Sequence, residues 1–208
     1  MKEQSILGLI DYGSGNLRSV RKALESVGAS VRIVESGPLP NDLGGVVLPG
    51  VGSFGDAVRQ LCKRSLFEPL RDWVAADKPY LGICLGYQLL FDRSEESPEM
   101  RGLAVLPGAV RRFPRSALKV PQIGWNTVSW SDAARGRYPG LVQNSFYYFV
   151  HSYYPEPADA SLWAARTDYG GEFAAGILKG NVLAIQFHPE KSQSSGLRLL
   201  GEFVAGLP

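Results

Sequence analysis

Cysteine and histidine are both scarce, with two of each in 208 residues. Two cysteines cannot build a multi-bridge disulfide framework. They suit a chain kept reduced, so the expected compartment is the cytoplasm. No apolar run reaches the ~18 residues that a membrane-crossing helix needs, so no membrane association is expected. Charge of one sign is missing too: 22 Lys and Arg face 20 Asp and Glu, a net charge of +2. That balance removes the electrostatic case for nucleic acid or an anionic lipid surface. Arg111, Arg112 and Arg115 lie close together and read as a solvated face. The opening MKEQSILGLIDYG carries acids and an early glycine, unlike a signal peptide. There is no internal repeat, low-complexity tract or linker.

What is present describes a globule. Hydrophobic residues make up 45% and charged residues 20%, ordinary values for a packed domain. The length suffices to bury most of the apolar surface and predicts a single domain over 1–208. In the first half, apolar runs at 6–11, 31–34, 45–48 and 79–83 read as strands. Between them lie helical patterns. Leu17, Val20, Leu24 and Val27 recur at helical spacing, and so do Ala57, Val58, Leu61 and Cys62. A further helix is expected over 66–74, and another begins over 85–91. Alternating strands and helices predict βαβ units and a mainly parallel central sheet flanked by helices. From about 102 to 186 the pattern becomes β-rich, with a hairpin turn at Lys179-Gly180-Asn181. This half reads as an elaboration on one sheet. A closing helix is expected over 196–204.

The chemistry concentrates at Gly82-Ile83-Cys84-Leu85-Gly86, where an apolar strand meets a helix. A strand that turns abruptly into a helix exposes the turn residue, and flanking glycines permit the tight turn. Hydrolases place serine there in G-x-S-x-G. Here the residue is Cys84. Free N–H groups at the helix start favour thiolate, the nucleophilic form. The N–H of Leu85 would point at an oxyanion on the attacked carbon. Cys62, on an apolar helix face without glycines, reads as core.

A thiol nucleophile usually takes histidine as its base. His188 ends the apolar run VLAIQFHPEK, and Pro189 holds its backbone extended. Glu190, two residues on, can orient the imidazole and stabilise imidazolium. His151, in YYFVHSYY, is explained equally well by packing and hydrogen bonding, and no proton transfer is assigned to it.

GVGSFG at 50–55 matches the dinucleotide pattern G-x-G-x-x-G literally. The match fails on context. That fingerprint belongs on the first βα turn, with an acid ending the next strand. Here two strands precede it, and the next strand ends at Cys84. The alternative is a loop whose backbone approaches the elbow, with the N–H of Val51 as a second oxyanion donor. Each such donor is typically worth about 10²–10³ in turnover. DYGSGNLRSV at 11–20 should lie at the same sheet edge, either as a turn with a helix cap or as a contact surface.

Together GICLGYQLL, PGVGSFG and FHPEKS resemble the class I, triad-type glutamine amidotransferases. DYGSGNLRSV, VPQIGWN and FVHSYY narrow the resemblance to the glutaminase subunits of imidazole glycerol phosphate synthase, over almost the whole chain. The resemblance implies a flavodoxin-like α/β fold and hydrolysis of L-glutamine through a glutamyl thioester, with Cys84, His188 and Glu190 as the triad. It implies Gly50, Gly52, Gln88, Glu96, Ser152 and Tyr153 around glutamine, and neither cofactor nor metal. An acid suits the substrate's ammonium, and backbone or hydroxyl donors suit its carboxylate.

The resemblance further implies a heterodimer with a (β/α)₈-barrel cyclase subunit. The cyclase would use the ammonia to make imidazole glycerol phosphate and an aminoimidazole carboxamide ribonucleotide. Asn16, Trp125, Asn126 and Lys191 fall in segments resembling that subunit contact. Trp125 reads equally as a core aromatic. Tyr87 stands where methionine is common, and Gln122 where histidine is common. A glutaminase of another synthase, for anthranilate or GMP, and another cysteine hydrolase are the alternatives.

Overall fold

The computed structural model describes residues 5–114 and 118–208, so Met1–Gln4 and Arg115 of the stretches discussed above lie outside the described residues. In chain order the elements are β1 (Ile6–Ile10), α1 (Leu17–Ser26), β2 (Ser30–Val34), β3 (Leu43–Leu48), α2 (Phe54–Lys63) and α3 (Phe67–Ala75). There follow β4 (Tyr80–Ile83), α4 (Leu85–Gln88), β5 (Phe91–Ser94), β6 (Leu106–Arg112), β7 (Gln122–Trp130) and α5 (Asp132–Arg137). The chain ends with β8 (Ser145–His151), β9 (Tyr153–Pro157), β10 (Trp163–Asp168), β11 (Glu172–Lys179), β12 (Val182–Ile185) and α6 (Gln193–Ala205).

Nine of these strands form one sheet in the order β2-β1-β3-β4-β12-β11-β10-β7-β8. The run from β2 to β12 is parallel and the rest is antiparallel. The α/β reading therefore holds for the half that the strand–helix alternation described. The β-rich half divides, which the sequence reading did not foresee. β7, β8, β10, β11 and β12 extend the main sheet, while β6 and β9 join β5 in a separate three-stranded sheet.

Helices cover both faces of the parallel half. Val20 and Leu24 of α1 pack with Leu199 and Phe203 of α6 against Leu81 and Ile83 of β4. On the other face, Val58 and Leu61 of α2 and Leu70 of α3 pack against Val46 of β3 and Tyr80 of β4. Burying each such side chain contributes roughly 1.5–3 kcal/mol. Side-chain caps start several helices. Ser53 accepts from the Asp56 N–H at α2, and Ser131 accepts from the Ala134 N–H at α5. α5 was not anticipated, although Ser131 followed by Asp132 is a helix-start signal.

Two local expectations need correction. The helix after Cys84 is a single turn ending at Gln88, and Phe91 already begins β5. The LGYQLLF run is apolar throughout, and such a run does not distinguish a helix from a buried strand. Cys62 is exposed, because the buried arc of α2 runs through Phe54, Ala57, Val58 and Leu61 and leaves Cys62 beyond its edge. A hairpin turn is present where Lys179-Gly180-Asn181 predicts one, with Lys179 the last residue of β11, paired to Val182, and Gly180-Asn181 joining β11 to β12.

The glycines of the elbow are there for close packing. A Cβ on Gly86 would run into the Leu48 carbonyl of β3, whereas one on Gly136 of α5 would meet nothing within 4 Å. Gly86→Ala should therefore lower stability by about 1–3 kcal/mol through overpacking. Gly136→Ala should leave stability unchanged or raise it by up to about 1 kcal/mol. Urea unfolding midpoints of the two variants check the contrast.

Candidate active site

β4 and β12 are hydrogen-bonded parallel neighbours, with Ile83 opposite Ile185. Whatever follows each strand emerges at the same sheet edge. Cys84 follows β4, and Gln186, Phe187 and His188 follow β12. β3, on the other side of β4, delivers the 49–53 loop to that edge, and β1 delivers 11–16.

Cys84 sits at φ +54°, ψ −104°. A side chain with positive φ costs about 1–3 kcal/mol and persists only where its surroundings hold it. Here the Cys84 N–H donates to the Ile185 carbonyl at 2.8 Å, and the Tyr80 hydroxyl donates to the Gly86 carbonyl at 2.8 Å. The sulfur is almost wholly buried and opens on a cavity of about 360 Å³, a volume suited to one small ligand. A larger groove of about 1210 Å³ lies on the small sheet, away from Cys84. Several of its charges are paired with one another, as where Arg111 pairs with both Glu95 and Glu156.

His188 Nδ1 lies 2.8 Å from Glu190 Oε1, and both side chains are buried. Nε2 is buried without a hydrogen-bond partner of good geometry. Burial alone would lower the imidazole pKa. The charge and proximity of the Cys84 sulfur, followed by the bond to Glu190, outweigh it and raise the pKa from 6.5 to about 10. Cys84, His188 and Glu190 thus come together in space.

The cavity also gathers most residues expected around a substrate. Val51, Gly52, Leu85, Gln88, Glu96, Ser152 and Tyr153 line it. Gly50 stands just behind, where a Cβ would collide with the Tyr12 hydroxyl. Glu96 Oε2 accepts the Phe54 N–H at 2.7 Å, which leaves its other oxygen for the cavity. The two candidate oxyanion donors are not equally free. The Leu85 N–H donates to the Gly50 carbonyl at 3.4 Å, a long bond at the limit of useful geometry. The Ser14 hydroxyl donates to the Val51 carbonyl at 2.5 Å and tethers that loop to the 11–16 segment.

Of the expected contact residues, Trp125 is 47% exposed on the outer face of β7, opposite Tyr148 of β8. Ile123 and Phe146 are exposed on the same two strands. Lys191 is exposed, with its ammonium 5.5 Å from the Tyr148 ring centre. Asn16 is exposed and caps α1. Asn126 is occupied within the chain: its amide donates to the Asp168 carbonyl at 2.8 Å.

His151 is buried. Its Nδ1 meets the Tyr153 carbonyl at 2.8 Å, and its Nε2 meets the Gln122 amide at 3.0 Å. Burial lowers its pKa to about 4, so it stays neutral near pH 7. Gln122 faces inward to this histidine, and Tyr87 is buried with its hydroxyl on the Ala174 carbonyl. Gln186 was missed. It is fully buried, and its Nε2 lies 3.5 Å from Cys84 Sγ. A glutamine at the end of VLAIQF, an otherwise apolar run, was the available signal.

The raised His188 pKa has a stability consequence of definite sign. The folded value, about 10, exceeds the unfolded value of 6.5. The histidine's contribution is fully present below about pH 6.5 and is lost as pH climbs through about 10. Urea midpoints measured from pH 6 to 10.5 should show this falling limb in the parent chain and not in His188→Asn.

A family profile described as "Glutamine amidotransferase class-I" matches residues 8–205. "Imidazole glycerol phosphate synthase subunit HisH" of Rhodopirellula baltica is 46% identical over 199 residues, spanning 95% of this chain and 96% of its own. The protein of the same name from Syntrophotalea carbinolica is 47% identical over 201 residues, with 94% and 97% spanned. Among solved structures, PurLQS from Thermotoga maritima superposes with a TM-score of 0.76 at 19% identity, covering 98% of each chain. A structure described as a glutamine amidotransferase gives 0.74 at 20% identity, covering 96% of this chain and 98% of the other. The solved structures speak for the fold, and the profile and full-length relatives speak for descent: this chain belongs to the class I glutamine amidotransferases, in the branch of the HisH subunits.

Proposed function

We propose that this chain hydrolyses L-glutamine to glutamate and ammonia and passes the ammonia to a cyclase subunit of imidazole glycerol phosphate synthase, in histidine biosynthesis. The observation that carries the reading is the adjacency of β4 and β12. It sets Cys84 beside the His188–Glu190 pair at the mouth of a cavity of amino-acid size.

In this reading the Cys84 sulfur attacks the side-chain amide carbon of glutamine and forms a C–S bond. His188 holds the proton and delivers it to the departing nitrogen as the C–N bond breaks. Water then attacks the thioester carbon and gives a proton to His188, and the C–S bond breaks to release glutamate. Glu190 keeps the imidazole oriented and stabilises its charged form. Glu96 meets the substrate ammonium, and Gln88 lies one turn beyond the nucleophile, its N–H on the Cys84 carbonyl at 3.2 Å. The oxyanion needs the Leu85 N–H. The Gly50 carbonyl must first turn away from it, and a bond of 3.4 Å opposes that movement only weakly.

The partner in this reading is a (β/α)₈-barrel cyclase. Ammonia released into neutral water is mostly protonated and no longer nucleophilic, so an enclosed route across a subunit contact preserves it. The outer face of β7 and β8, with Ile123, Trp125 and Phe146 exposed around Tyr148, supplies an apolar surface with an aromatic anchor for such a contact. The cytoplasm is the compartment that this role implies.

Two measurements test the reading. Cys84→Ala should fold and release no glutamate, with or without the cyclase and its ribonucleotide. Normal hydrolysis by that variant would refute the mechanism. Trp125→Ala should weaken cyclase binding by about 2 kcal/mol or more, roughly thirtyfold in Kd by titration calorimetry.

A further inference from the structure

The side-chain amides of Gln88 and Gln186 form a chain that ends on the sulfur. Gln88 Nε2 lies 3.0 Å from the Tyr153 carbonyl and 3.1 Å from Gln186 Oε1. Gln186 Nε2 lies 3.5 Å from Cys84 Sγ. An amide can usually be turned over to exchange oxygen and nitrogen. Here it cannot. The Tyr153 carbonyl only accepts, so Gln88 must present its NH₂ group there. The second hydrogen of that group then fixes Gln186 with its oxygen toward Gln88 and its own NH₂ toward the sulfur. One backbone carbonyl thus sets the direction of the whole chain, and its last member is a donor aimed at Cys84.

We infer that Gln186 is a catalytic residue whose side-chain N–H stabilises the Cys84 thiolate, oriented for this by Gln88 and the Tyr153 carbonyl. A thiolate accepts a hydrogen bond far better than a thiol does, and a bond to a charged acceptor is worth more than a neutral one. Gln186 is fully buried, so no water competes for that hydrogen. The residue approaches from the β12 side, whereas the helix turn carrying Gln88 starts at the cysteine itself. The sulfur is therefore flanked by His188, which takes the thiol proton, and by an amide that cannot take it. The inference rests on Cys84 being the nucleophile proposed above.

The test is the pH profile of Cys84 alkylation by iodoacetamide. The charged and titratable groups around the sulfur are His188 with Glu190 after β12 and Tyr12 after β1. Glu96, His151, Tyr153 and Lys191 line the cavity. All stay in place in Gln186→Met, which keeps the volume and removes the donor. Its alkylation midpoint should rise by about one to two pH units, the equivalent of one hydrogen bond to a charged group, with the high-pH plateau rate retained. Gln186→Glu, which sets a carboxylate beside the sulfur, should move the midpoint at least as far.

An unchanged midpoint in folded Gln186→Met, with Cys84 still alkylated, overturns the inference and leaves the glutaminase reading standing. A wild-type Cys84 that resists alkylation at every pH overturns both. A second measurement needs no change at Gln186. In ¹⁵N spectra of the intact protein, the Gln186 side-chain resonances should shift as the thiol titrates, and should be insensitive to pH over that range in Cys84→Ser. Identical behaviour in both proteins would also overturn the inference.

Discussion

The site depends on the parallel pairing of β4 with β12, and that pairing is locked at the end farthest from the sulfur. The Gly180-Asn181 turn before β12 is bound to the residues leading into β4. Asn181 donates its N–H to Asp77 Oδ1 at 2.9 Å and its side-chain amide to the Asp77 carbonyl at 3.0 Å. The Tyr80 N–H donates to the Asn181 carbonyl at 3.2 Å. Gly180 has φ +54°, and a Cβ there would run into the Asp77 carboxylate. These contacts fix which residue of β12 faces which residue of β4. A slip of one residue would exchange the two faces of β12 and swing Gln186 and His188 away from the sulfur. The antiparallel half of the sheet is therefore more than an elaboration. It carries the histidine strand back to the cysteine strand.

The sheet edge at Cys84 holds the costly features. Cys84 is in the left-handed region of φ, and His188 Nε2 and Glu190 Oε2 are buried without hydrogen-bond partners. A buried polar group left unpaired costs about 1–3 kcal/mol. Such costs are tolerated where the surrounding structure over-determines the conformation, as the Gly82–Gly86 packing and the ladder bond from Cys84 to Ile185 do here. Of the residues brought together here, Cys84 is the one that lines the cavity, and the His188–Glu190 pair lies buried behind it.

The legible parts of the sequence were those where a local rule has one structural solution. Glycines on both sides of a cysteine, between a strand and a turn, have few uses other than a sharp exposed elbow. The His-Pro-Glu order after an apolar run put two side chains on the same side, and they are 2.8 Å apart. The less legible parts depend on what lies across the fold. Gln186 is polar in an apolar run, and only the sulfur and Gln88 explain it. Cys62 follows the helical period, yet the neighbouring elements cover a narrower arc of α2 than the period allows. The helix after Cys84 gives way at Phe91 to β5 of the small sheet, and because Leu89, Leu90 and Phe91 are all buried, nothing in their apolar character announces a strand.

The outer strand of the sheet connects the exposed face to the histidine. Tyr148 of β8 sits opposite Trp125, their rings edge to face at 6.1 Å. The backbone of the same residue is bonded to the histidine segment. The His188 N–H donates to the Tyr148 carbonyl at 2.9 Å, and the Tyr148 N–H donates to Ser192 Oγ at 3.0 Å. The Ser192 hydroxyl closes the ring by donating to the His188 carbonyl at 2.6 Å. Ser192 is buried, so these bonds are shielded from water and are costly to leave unmade. A displacement of β8 along its own axis must either carry the backbone of His188 with it or break this ring. The face that bears Trp125 and the imidazole beside Cys84 are thus set by one strand.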